Sequence, residues 1–261
     1  MGDGRLSKIL AVADAHGGSR WGLATPEWIS ERMRGRCECL AMHDEFVKIR
    51  DKVGKIDYLL CGGDLADGTN VREQGKDRVV DAPHQVLMIS ELLKTIKGSP
   101  KIYMVEGTPY HSGVQCLDEE VAQAVSAIPD AYGRFAPKFW LLDIDGVRFS
   151  LAHKITVSSS SWQYRSTPLA LRLVLSRLNR QEDPDKYFIL LRAHCHTYQG
   201  VFFKHQLGLT IPAFEARTPF GEERMPENNP DIGALLFETK DGKLEHWDAF
   251  ATSFSHEAVP A

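Results

Sequence analysis

The sequence lacks an apolar run approaching the roughly 18–20 residues that a membrane span requires, and this predicts a protein without a membrane partner. It has no internal repeat and no low-complexity tract, which excludes solenoid and fibrous architectures. It has no basic excess: 31 Lys and Arg stand against 35 Asp and Glu, a net charge of −4. A surface built to coat duplex nucleic acid is therefore not expected. A site that handles phosphates through bound cations needs no such surface, so nucleotide and nucleic-acid substrates stay open. The five cysteines are odd in number and follow no framework spacing, which reads as reduced thiols in a cytoplasmic protein. Cys37 and Cys39 form a C-x-C pair, but a zinc knuckle would need a second pair nearby. The opening "MGDGRLSKILAVADAHGG" has a short apolar stretch with no small-residue cleavage site after it. It reads as a first strand rather than a signal peptide. Leu6 stands where myristoylation of Gly2 would want Ser or Thr.

What is present is a series of punctuated apolar segments. "KILAVAD" (8–14), "IDYLLCGGD" (56–64), "KIYMVEG" (101–107) and "YFILLRAH" (187–194) read as strands. Apolar residues at helical spacing mark 40–53, 83–97 with Pro83 near the first turn, 117–128 and 167–181. Residues 138–153 and 232–250 read as hairpins around Asp145-Gly146 and Asp241-Gly242. Strands alternate with helices in the first half and hairpins enter in the second. This order predicts an α/β fold of mixed sheets layered with helices, in one domain spanning 1–261.

The chemistry-bearing residues gather where strands end, the usual place for a site in such folds. "VADAHGG" supplies Asp14 and His16, and "CGGDLADG" supplies Asp64 after two glycines that permit a tight turn. "VEGTPYHSG" supplies His111, "SLAHK" His153, and "LRAHCHTYQG" His194 and His196. In an extended segment residues i and i+2 share a face, so both imidazoles of the last block are expected to reach one point, with Cys195 turned away as a small buried residue. Carboxylates and imidazoles converging from separate strand ends suit two neighbouring hard or borderline cations. Asp67 lies past its strand end and reads as a residue that supports the ligands. His43, His84, His205, His246 and His256 read as ordinary surface or core residues, and the run Asp118-Glu119-Glu120 as a solvated helix N-terminus.

The ordered blocks D-x-H, G-D-x-x-D, a Gly-led loop with His, a lone His, and A-H-x-H resemble the calcineurin-like metallophosphoesterases over about residues 8–200. "HGGSRWGLATPEW" and "GTPYHSG" look similar to a subgroup found in phages and prophages, whose members would work in the host cytoplasm. The resemblance implies a four-layer α/β/β/α sandwich, with 201–261 and the final hairpin completing the second sheet and the rim. It implies a two-metal phosphoester hydrolase using in-line attack by a hydroxide that bridges the ions. It places Asp14, His16 and His196 on the first metal, Asp64 as the bridge, His153 and His194 on the second metal, and His111 as the acid beside the leaving group. One block departs from the pattern. The family reads G-N-H-[DE], whereas here Gly107-Thr108-Pro109-Tyr110-His111 puts Thr108 in the Asn slot and displaces the His by two. Thr108 is then a weak ligand to the second metal or a support beside it, and water or His111 would complete that shell. Mn²⁺ is favoured for a mixed Asp/His set, with Fe, Zn, Ni or Co also fitting.

Trp162, Tyr164 and Arg165 in "SSSSWQYRS", with Tyr110, are candidates to stack on and grip a nucleotide. The stretch 217–230 reads as a rim loop. No Lys/Arg cluster accompanies the blocks, which favours a phosphodiesterase over a phosphomonoesterase or protein phosphatase. A catalytically weak binding scaffold is the third reading. The substrate partner in the first is a phosphoester, either a nucleotide or nucleic acid.

Overall fold

The computed structural model describes residues 5–31, 35–69, 80–112, 116–155, 166–180, 183, 185–224 and 229–253. Among the described residues, ten strands form two five-stranded sheets. In the first, β1 (Ser7–Val12), β2 (Tyr58–Cys61) and β3 (Lys101–Met104) are parallel, and the hairpin of β9 (Asp231–Lys240) and β10 (Lys243–Ser253) adds on the other side of β1. The order is β10-β9-β1-β2-β3. The second sheet takes β4 (Trp140–Ile144), β5 (Val147–Leu151), β6 (Phe188–Arg192), β7 (Gln199–Phe203) and β8 (Gln206–Thr210) in the order β4-β5-β6-β8-β7.

Strand alternation makes the layers. Ile9 and Ala11 of β1 face inward with Leu60, Phe149, Leu151, Ile189, Leu191, Leu209, Leu235 and Phe237, so one core lies between the sheets. Leu10 and Val12 point the other way and meet Phe46, Ile49, Ile89 and Leu92. Those residues belong to α1 (Arg36–Val53) and α2 (Ala82–Lys94). Helix α1 buries Cys39, Met42, Phe46, Ile49 and Val53, a stripe at three- and four-residue spacing, and stops at Gly54 with φ 72°. The Asp81 side chain caps α2 by accepting from His84 N–H. The short helices α3 (Pro109–Ser112) and α4 (Leu117–Ala124) follow β3. On the far side α5 (Thr167–Arg180) sets Leu169 and Leu173 against Phe188 and Leu190. The result is the expected α/β/β/α sandwich, with α6 (Pro219–Arg224) in the stretch expected as a rim loop.

One placement differs from expectation. The final hairpin joins the first sheet, not the second, because β9 pairs antiparallel with β1 along Ser7–Ala11. Alternate residues of β9 serve two cores: Leu235 and Phe237 face the other sheet, while Ala234 and Leu236 face the helices. A strand buried on both faces belongs inside a sheet. The second sheet is completed instead by residues 199–210.

Candidate metal centre

Strands β1 and β6 sit at or near the middle of their sheets, and their carboxyl ends deliver Asp14, His16, His194 and His196. Asp64 follows β2, Thr108 follows β3 and His153 follows β5. The backbone turns sharply at these points. Asp14 (φ 48°), His16 (43°), Asp64 (50°), His194 (75°) and His196 (51°) all occupy the left-handed region. They are five of the eleven described non-glycine residues that do so, so this strain is concentrated at the site. Cross-strand bonds hold the turns: His16 N–H donates to Asp64 O at 3.0 Å, Gly17 N–H to Leu65 O at 2.8 Å, and Ala193 N–H to His153 O at 2.9 Å.

This geometry corrects the reading of "RAHCHT" as extended. β6 ends at Arg192, and the two following imidazoles diverge to neighbouring points rather than one. His196 joins Asp14 and His16, while His194 joins Asp64 and His153; in each group the ligand atoms lie within 4.8 Å of one another. Cys195 between them is half-buried, and its Sγ donates to Thr197 O at 3.3 Å.

The first group is built around a deprived oxygen. Asp14 is fully buried and its Oδ2 accepts from His194 N–H at 3.0 Å, but its Oδ1 has no hydrogen-bond donor among the described residues. His196 Nε2 stops 3.6 Å from that oxygen and His16 Nε2 4.0 Å from it, while the two nitrogens approach each other to 3.3 Å. A buried carboxylate oxygen without a donor is costly unless a cation satisfies it. In the second group His153 Nδ1 lies 2.7 Å from Gly62 O, a contact that requires Nδ1 to carry the proton. Its Nε2 then offers a lone pair, yet stands 3.0 Å from Asp64 Oδ2, itself an acceptor. Two facing acceptors need either an added proton or a metal ion between them. The residues therefore fit a cation at each group.

The electrostatics say the same. Burial pushes His153 down, but the carboxylates of Asp64 and Asp14 outweigh it and hold the imidazole up at about 9. Burial likewise disfavours charged His16, yet Glu215, Asp67 and Asp64 keep it well above its ordinary value. His194 moves down to about 4, through burial and then the His153 charge. Burial would raise Asp14, but His196 and His153 bring it below its usual range. Asp64 falls for the same reason, through His153, His16 and His111. The site thus draws positive charge to its carboxylates. Four of these, Asp14, Asp64, Asp67 and Glu215, surround the imidazoles at 5% exposure or less. Two divalent ions would balance them.

The supports are visible too. Asp67 is buried, and its Oδ1 lies 3.3 Å from His16 Nδ1 and 2.9 Å from His111 Nδ1. These three residues form a third group close enough to hold an ion. The structure brings His111 to His16 and Asp67, not into the group of Asp64, His153 and His194. Thr108 is buried and turned onto Asp64: its N–H donates to Oδ1 at 2.6 Å and its hydroxyl to Oδ2 at 3.0 Å. Tyr110 is exposed on α3, one residue before His111. Trp162, Tyr164 and Arg165 lie outside the described residues.

Asp118 corrects the expectation of a solvated helix start. It is fully buried and accepts from the backbone N–H groups of Asp64 (3.1 Å), Leu65 (3.0 Å) and Gly107 (2.8 Å). Of the same run, Glu119 accepts from Phe135 and Ala136 N–H, and only Glu120 is exposed. Glu215 went unread in the sequence. The signal was a single carboxylate within the apolar "IPAFEA", where a buried charge must have a partner.

No family model and no curated protein sequence matches the chain. Among solved structures it is similar to vacuolar protein sorting 29 of Cryptosporidium parvum, at 16% identity and TM-score 0.45, covering 95% of this chain and 99% of that one. It is similar to wild-type Vps29 of Entamoeba histolytica complexed with Zn²⁺, at 13% and 0.44 with the same coverage. It is also similar to YfcE, a phosphoesterase from E. coli, at 11% and 0.44, covering 93% of this chain and 98% of that one. Identities and scores this low assign no activity. No helix among the described residues is long and apolar enough to cross a membrane.

Proposed function

We propose that this protein is a two-metal phosphoester hydrolase of the calcineurin-like type, and specifically a phosphodiesterase acting on nucleotides or nucleic acid. The observation that carries the reading is the pair of buried carboxylate–imidazole groups, each bringing carboxylate oxygens and imidazole nitrogens within 4.8 Å of one another, where a proton or a cation must stand between them. Asp14, His16 and His196 would hold one ion, and His153 and His194 the other, with Asp64 serving both. Mn²⁺ is the favoured ion, and Fe, Zn, Ni and Co suit the same donors. When bound, such ions would supply Lewis-acid polarisation of the phosphoryl group and lower the pKa of a bound water toward neutrality.

The chain's own groups do the rest. The Gly62 carbonyl sets the His153 tautomer so that Nε2 faces inward. Thr108, in the slot where the family places Asn, acts by fixing the Asp64 carboxylate through two donors rather than as a ligand itself. Asp67 accepts from His111 Nδ1–H, and its carboxylate balances the charge of a His111 imidazolium, whose Nε2–H would pass its proton to the departing oxygen as that oxygen's bond to phosphorus breaks and leave a neutral ring. Tyr110, exposed on α3 one residue before His111, would be the side chain on which a base stacks. The blocks "HGGSRWGLATPEW" and "GTPYHSG" carry the phage- or prophage-type reading.

The test compares bis-p-nitrophenyl phosphate with p-nitrophenyl phosphate, using chelator-stripped protein with Mn²⁺ restored. Cleavage of the diester over the monoester, abolished in Asp64→Asn, is expected. Preference for the monoester would replace the diesterase reading with a phosphomonoesterase. No cleavage with any divalent ion would remove the hydrolase reading.

A further inference from the structure

The two groups differ in what stands behind their imidazoles. In the Asp64 group, His153 is backed by a neutral backbone carbonyl, Gly62 O. In the Asp14 group, His16 Nδ1 is backed by the Asp67 carboxylate at 3.3 Å. His196 turns its Nε2 toward Asp14 and His16, so its other nitrogen, Nδ1, looks out of the group. There it meets Glu215 Oε2 at 3.5 Å, and the same oxygen lies 3.7 Å from His16 Nε2.

Glu215 is held for this task from two directions. Its neighbours are stitched to the loop that carries Asp14 and His16: Phe214 N–H donates to Asp14 O at 3.0 Å, and Ala216 N–H to Trp21 O at 2.8 Å. Its second oxygen, Oε1, accepts from Ser19 Oγ at 3.2 Å, and Ser19 belongs to that same loop. The side chain is 7% exposed. A carboxylate buried to this degree needs donors or cations around it, and among the described residues the Ser19 hydroxyl and the His16 and His196 imidazoles face it.

We infer that Glu215 is a positioning residue for His196, and that together with Asp67 it makes the Asp14–His16–His196 site the tighter of two cation sites. This rests on the metal-centre reading above. A carboxylate behind a ligating imidazole fixes its tautomer and ring orientation and raises its basicity; losing such a partner typically costs 10–100-fold in metal affinity. A carbonyl behind His153 orients that ring but adds no net charge.

The experiment titrates chelator-stripped full-length protein with Mn²⁺ by calorimetry, for wild type, Glu215→Gln, Glu215→Ala and Ser19→Ala. His194→Ala identifies which binding step belongs to the Asp64 group. Circular dichroism and thermal unfolding without metal establish that each variant is folded. The expected result is two steps in wild type. Glu215→Ala weakens the tighter step by about 10–100-fold and leaves the weaker step unchanged. Glu215→Gln, which keeps an acceptor oxygen, recovers part of the loss, and Ser19→Ala weakens the same step by less. A folded Glu215→Ala that binds the tighter ion as wild type does overturns the inference, as does equal weakening of both steps. If Glu215→Ala does not fold, Glu215→Gln and Ser19→Ala decide by the same criterion. Wild type that binds no ion overturns this inference and the hydrolase reading together. Wild type that binds two ions yet cleaves no ester, with the selective loss in Glu215→Ala, removes the hydrolase reading and keeps Glu215 in its role.

Discussion

Three backbone N–H groups close on the carboxylate of Asp118, and they come from both loops that frame Asp64. Replacing it by Asn leaves one acceptor oxygen and turns an NH₂ group toward an N–H. At least one buried donor then goes unsatisfied, so Asp118→Asn should lower stability by about 3 kcal/mol. Denaturant unfolding of the metal-free protein measures this, and an unchanged midpoint would show that the loops do not depend on Asp118. Asp118 and Glu215 share a reason for escaping the sequence reading. Each acts through partners distant in the chain, and neither belongs to a spaced motif. Asp14, His16, Asp64, His194 and His196 were legible because each follows an apolar run and has a glycine or another ligand-type residue within two positions, while His153 was marked only by the apolar run before it. The left-handed backbone of all of these but His153 was not legible: no local signal distinguishes an Asp that ends a strand from one that turns out of it.

At the level of elements, the clearest signals were turns with a defined chemistry. Asp145-Gly146 (φ 53° and 82°) and Asp241-Gly242 (φ 51° and 79°) both take positive φ at the two central residues, as a type I′ hairpin requires. The β7–β8 hairpin passed unnoticed because its turn, Lys204-His205, carries no such signature and β7 is half exposed without alternation. The loop after β3 shows how closely elements meet at the site. A Cβ on Gly107 would fall 2.0 Å from Asp64 Oδ1 and 2.3 Å from Asp64 N. Gly107→Ala must therefore push the β2 and β3 loops apart at the shared carboxylate. A displacement on the order of 1 Å at a catalytic group costs about 10²-fold in rate. That loss is expected in kcat/KM for bis-p-nitrophenyl phosphate, with the circular dichroism spectrum preserved; wild-type turnover would mean that the loops can part without disturbing Asp64.

For the whole molecule, the site is a reservoir of protons when it holds no ions. His153 is held at about 9 against burial by Asp64 and Asp14. An unfolded imidazole titrates near 6.5, so this pairing contributes on the order of 3 kcal/mol, complete below about pH 6.5 and lost as pH rises through 9. His16 acts in the same direction. Unfolding of chelator-stripped protein should therefore become easier between about pH 6.5 and 9.5, and Asp64→Asn should flatten that slope. A wild-type midpoint independent of pH across this range would contradict the pairing. Ions take the place of these protons, so Mn²⁺ affinity should tighten over the same range. The sheet order adds a consequence for biosynthesis. β1 lies between β2, made soon after it, and β9, made near the far end of the chain. While the ribosome works, one edge of the apolar "KILAV" segment can pair early, but the other stays open until Asp231–Lys240 emerges. An open apolar edge invites pairing with other nascent chains. A ribosome stalled before Asp231 thus holds a product that already contains the proposed metal ligands but lacks the strand that steadies the first of them. The strands that complete the pairing of β1 are thus made after every proposed ligand, and they contribute none themselves.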